Sequence, residues 1–105
     1  TSKELMCRCS YKDCNHSYMF YKTVDSAQRF RNFMKESLYI TSAYRCQRHN
    51  EDVGGHIDSY HKKGHAIDFA VPQDYDIDYF ADKARMFFDV VIKYPNRNFI
   101  HCHNL

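Results

Sequence analysis

The run from Ser59 to Pro72, "SYHKKGHAIDFAVP", constrains the fold more than any other stretch. Gly64 permits a tight bend, and beyond it the residues alternate. Ala66, Asp68 and Ala70 fall on one face of an extended strand, and Ile67, Phe69 and Val71 on the other. Pro72 then ends the strand, because it has no N–H for a ladder. A strand with one wholly apolar face must lay that face on other elements, so a sheet backed by helices is expected. The opposite face presents Asp68, with His61 and His65 in the turn just before it.

The remaining segments supply those elements. In "TVDSAQRFRNFMKES", Ala27, Phe30 and Met34 recur at helical spacing with Phe33 beside them, which predicts a helix over 25–36 with Thr23 or Asp25 capping its first turn. "SLYITSAYR" alternates Leu38, Ile40 and Ser42 against Tyr39, Thr41 and Ala43, a half-buried strand with Arg45 just past its end. "CQRHNEDVGG" reads as one or two helical turns closed by Gly54 and Gly55. In "DYDIDYFADKARMFFDVVIKYP", Ile77, Phe80, Ala81, Ala84, Phe87, Phe88 and Val91 predict a helix that starts at Asp74 or Asp76 and stops before Pro95. Finally, "NFIHCHNL" sets Phe99, His101 and His103 on one face of a strand and Ile100 and Cys102 on the other. The fold class is α+β: a single domain over 1–105, its short antiparallel sheet flanked by two or three helices, preceded by a cysteine-rich segment over 1–20. A chain of 105 residues builds one modest core.

Charge and hydropathy exclude two function classes. The net charge of +2 arises from 15 basic and 13 acidic residues that are intermixed, so nucleic acid is not the expected partner. No run approaches the roughly 18 apolar residues of a membrane span. The first 20 residues hold cysteines and charges where a secretory signal has its apolar core, so no signal peptide is expected there.

Two imidazoles and a carboxylate are the ligand set of a catalytic zinc, which leaves a fourth position for water. His61, Asp68 and one histidine of the C-terminal strand, His101 or His103, match that set, with Asp68 on a rigid strand and His61 reaching in from the turn. His65 is expected at the surface or beside the site. Cys7, Cys9, Cys14 and His16 have the elements of a closed Cys3His site, a possible second, structural zinc, although their spacing is irregular and reduced thiols are the alternative. Cys46 and Cys102 are expected as buried small hydrophobes.

"ITSAYRCQRHNEDVGG" followed by "SYHKKGHAIDF" resembles the zinc D-alanyl-D-alanine carboxypeptidase family over roughly residues 25–103, closest to its small bacterial and phage peptidases. Related branches include dipeptidases, phage endolysins and hedgehog-type zinc domains. The resemblance implies that His61, Asp68 and His103 bind a catalytic Zn2+, with His101 beside it. It implies that Arg45 holds a substrate carboxylate and that Ser59 orders the ligand loop. Dipeptidases and endolysins place a Glu or Asp three positions before the third ligand. Here Ile100 precedes His103, and Asn98 precedes His101. His101 is then the expected proton carrier or oxyanion partner, with Asp58 and Glu51 next. The implied activity is hydrolysis of peptide bonds in cell-wall peptides that contain D-amino acids. The expected partner is a peptidoglycan stem peptide. The expected state is a monomer, in the producer's cytoplasm or associated with a phage or other virus. A zinc-bound domain that binds a peptide or protein without cutting it is the alternative.

Overall fold

A computed structural model describes residues 5–8, 19–55 and 59–105 of the chain. Helix α1 spans Tyr21–Met34, strand β1 Ile40–Ser42, helix α2 Gln47–Asp52, strand β2 Ala66–Ala70, helix α3 Ile77–Ala84, strand β3 Val90–Tyr94 and strand β4 Phe99–His103. The strands form one antiparallel sheet in the order β1-β2-β4-β3. The α+β class follows from that architecture. No helix among the described residues is long and apolar enough to cross a membrane.

The alternation read in β2 and β4 is realised in the register between them. Ile67 faces Cys102 and Phe69 faces Ile100, and all four are fully buried. On this face α1 and α3 add Phe30, Phe80, Ala81 and Ala84. Phe30 lies at its centre, with ring centroids 5.4 Å from Phe69, 5.2 Å from Phe80 and 5.9 Å from Phe87. The opposite face pairs Asp68 with His101, Ala66 with His103 and Ala70 with Phe99. The core is thus built on one side of the sheet and the polar groups are displayed on the other.

Three expectations about the elements need correction. The helix predicted to run as far as Pro95 ends at Ala84, and Val90–Tyr94 forms β3 instead. Its apolar residues fit a helical stripe, but Val90, Val91 and Ile92 are β-branched and find a partner ladder in β4. Phe88 still enters the core, from the turn between the two elements. Helix α1 starts at Tyr21 rather than 25, with neither Thr23 nor Asp25 as its cap. Phe20 N donates to Gly64 O (2.9 Å) and Thr23 Oγ1 to His65 O (3.2 Å), so the helix start is fixed by the turn before β2. Lastly, Ser42 does not share a face with Leu38 and Ile40. A bulge between Ile40, opposite Phe69, and Ser42, opposite Asp68, shifts the phase by one residue and sends Ala43 into the core.

Helix α2 matches its expected place. Gly54 follows it with φ +69°, and Gly55 N donates to Asn50 O at 2.8 Å. Cys102 is buried as expected. Cys46 is only half-buried, and its sulfur caps α2 by accepting from His49 N at 3.4 Å. Of the proposed Cys3His set, Cys9, Cys14 and His16 lie outside the described residues. Cys7 Sγ accepts from Cys46 N at 3.3 Å.

Candidate metal and substrate site

The turn between Ser59 and His65 is built by local hydrogen bonds. Lys62 N, Lys63 N and Gly64 N donate to the carbonyls of Ser59, Tyr60 and His61 in sequence, and Gly64 adopts φ +74°. Ser59 Oγ accepts from His61 N at 3.2 Å, which closes the turn's first loop, and also from Arg45 Nη2 at 3.2 Å. Arg45 N donates to His61 O at 3.1 Å. Ser59 and Arg45 therefore hold the backbone that presents His61. His65 points away from this group: its Nδ1 is 3.0 Å from Asn104 O and its ring stacks on Phe20.

His61 is almost fully buried, and its Nδ1 lies 2.6 Å from Ala43 O. A carbonyl only accepts, so Nδ1 carries the proton. The other nitrogen, Nε2, then turns a lone pair toward Asp68 Oδ1, 3.1 Å away. Two acceptors at that distance require a cation between them, either a proton that makes His61 an imidazolium or a metal ion. The same Oδ1 lies 3.0 Å from His101 Nδ1, and His101 Nε2 lies 2.8 Å from His103 Nδ1. His61, Asp68 and His101 each offer a ligand atom within 4.8 Å of the other two. His103 is next in this chain, its ring stacked on Tyr60 at 4.0 Å and 8°.

Electrostatics favour the charged carboxylate and a neutral His103. Burial pushes the Asp68 carboxyl up, but the hydrogen bond from His101 and the close contact with His61 outweigh it and hold the group below its usual range. Burial, followed by repulsion from His101, lowers the His103 imidazole. Neutral imidazole is the form that binds metal. Burial also lowers the Arg45 guanidinium, with Asp68 the largest opposing influence, yet arginine remains a cation throughout the physiological range. Arg45 Nε is buried with no hydrogen-bond partner among the described residues.

These groups line a cleft of about 690 Å3. Every site residue expected from sequence is there: Arg45, Ser59, His61, Asp68, His101 and His103. Of the reserve bases, Asp58 lies outside the described residues, and Glu51 sits on α2 without lining the cleft. Sequence reading missed the aromatic parts. Tyr60 stood between two residues already singled out, and its stacking on His103 depends on the turn's shape. Ile92 and Tyr94 were assigned to a helix; as β3 residues opposite His101 and Phe99 they extend the site's face into an apolar shelf, with Tyr94 stacked on Phe99 at 4.6 Å.

A profile of the family described as Peptidase M15 matches residues 1–103 of the chain. No curated protein matches it.

Proposed function

This chain belongs to the peptidase M15 family of zinc metallopeptidases, and from that premise we propose that it hydrolyses peptide bonds in bacterial cell-wall peptides containing D-amino acids. In this reading His61, Asp68 and His103 hold the zinc, His101 handles protons, and Arg45, braced by Ser59, grips a substrate carboxylate. The observation that carries it is the His61–Asp68 contact. With Nδ1 committed to Ala43 O, the two acceptors Nε2 and Oδ1 face each other at 3.1 Å, a pair suited to a divalent cation. The zinc would supply Lewis acidity and a bound water of near-neutral pKa.

The chain's own residues do the rest. The Arg45 fork matches a carboxylate in shape and charge. His101 shares its two ring nitrogens between Asp68 and His103, which fixes its orientation for accepting and returning a proton. The closest trio of ligand atoms contains His101 rather than His103. Assigning His103 as the ligand rests on the resemblance of its "HCH" strand and on the Tyr60 stack that sets its ring.

Asp68 is the sole carboxylate among the described residues that line the cleft, which favours a second reading, a zinc-held domain that binds a peptide without cutting it. Incubation of the zinc-loaded protein with a D-Ala-D-Ala-terminated muropeptide, resolved by mass spectrometry, separates the two. Cleavage products that vanish with chelator support the peptidase. Intact peptide in both arms leaves only binding.

A further inference from the structure

The cleft continues past the metal ligands. A second cavity of about 400 Å3 adjoins it, and the two share Arg45, Val53, Asp68, Arg97 and Phe99 as walls. Arg8 and His49 also line this annex, and its one carboxylate among the described residues is Asp68. That carboxylate is taken up by His61 and His101. Among the described residues three guanidiniums wall the annex, of which Arg8 is already tied to Ile40 O, beside a single carboxylate that is itself engaged, and such a surplus of positive charge attracts anions.

Arg97 is held ready for one. It ends the short 3-10 turn Pro95–Arg97, which Asn98 closes in the left-handed conformation at φ 54°. Asn98 N donates to Pro95 O (3.3 Å), and Val71 N donates to Asn98 O (3.0 Å), tying the turn to the end of β2. The guanidinium lies 5.6 Å over the Phe99 ring. Such a contact orients the plane of the fork without consuming its N–H donors. Among the described residues no carboxylate pairs with it.

We propose that the annex is a second anion subsite, in which Arg97 binds a carboxylate of the substrate other than the one Arg45 holds, so that the protein selects acidic peptides over their amidated counterparts. The assignment rests on the peptidase reading for the part Arg45 plays. Two guanidiniums on the common wall of two clefts can engage two carboxylates of one extended ligand. A peptide with a free C-terminus and an acidic side chain a few residues away has that chemistry.

The test uses the zinc-loaded chain and pairs of synthetic peptides with free C-termini, identical except for Glu or Gln at one of the three positions before the C-terminal residue. Calorimetric titration should show one Glu peptide binding about tenfold more tightly than its Gln partner, the gain expected from one charge-assisted contact. Arg97→Gln should bring that ratio to about one, and Arg97→Lys should restore part of it. Where turnover occurs, the preference should appear in KM rather than kcat. Equal binding of every pair, no binding of any peptide, or an unchanged preference in Arg97→Gln would each overturn the subsite. Failure of the peptidase reading looks different: the Glu preference persists in binding while neither peptide is cut.

Discussion

At the scale of single residues the site is a relay: Ala43 O to His61, His61 to Asp68, Asp68 to His101, and His101 to His103. His101 and His103 are i and i+2 on β4 and so share one face of the sheet. A catalytic zinc needs only one of them beside His61 and Asp68. With His103 as ligand, His101→Ala should keep its zinc in elemental analysis and lose activity by roughly 10²–10⁴-fold, the range for a lost general acid–base group. His103→Ala should lose metal and activity together. The opposite metal contents would make His101 the ligand, as the 4.8 Å trio arranges it. This residue-scale choice was open in the spacing of "HCH", because strand geometry gives both histidines the same direction.

At the scale of elements, the segments that carry the site are short and depend on close backbone approaches. Helix α2 leaves toward the cleft through Gly54 and Gly55, which need to be glycine for different reasons. Gly54 has positive φ, and the space a Cβ would occupy there is open, so Gly54→Ala should cost about 1 kcal/mol through backbone strain alone. A Cβ on Gly55 would sit 2.2 Å from Asn50 Oδ1 and 3.1 Å from Asn50 O, and Asn50 is buried. Gly55→Ala should therefore cost more, about 1–3 kcal/mol, by overpacking. Denaturant midpoints of the two variants check the order, and a Gly55→Ala protein as stable as Gly54→Ala would mean that the Asn50 side chain yields freely. The pair of glycines was visible in the sequence as a helix stop. Which of the two is crowded was not, since that depends on the path of Asn50.

At the scale of the whole molecule, the site joins the end of β1, the 59–65 turn, β2 and β4, segments separated by up to 60 positions in sequence. A metal there staples the sheet to its connecting turn. Chelation should lower the melting temperature by about 10 °C or more if zinc is present at a hundredfold over its dissociation constant, equivalent to about 2.7 kcal/mol in a domain of this size. A melting curve indifferent to chelator would remove the metal from the fold's stability. Acidification should act in the same direction as chelation, because ligand histidines must be neutral to bind. Zinc-dependent stability should fade as the pH drops far enough to protonate His103, whose imidazole burial holds below its ordinary range. Local sequence determined a good part of this. The two-residue period in "HAIDFA" and "FIHCH" settled which side chains face the core and which face the cleft, because a strand's alternation needs no knowledge of its partners. That the histidine pair joins His61 and Asp68 was implied by the family resemblance and not by local period, since the β2–β4 pairing that brings them together spans 33 positions. Only the tertiary structure decided the rest. Val90–Tyr94 became a strand because β4 offered a ladder to β-branched residues that would otherwise continue a helix. The β1 bulge turned Ala43 inward while its carbonyl oriented His61. Arg97 came to share a cavity wall with Arg45 because a turn pinned to the end of β2 brought it there, a juxtaposition of positions more than 50 residues apart that no local pattern encodes.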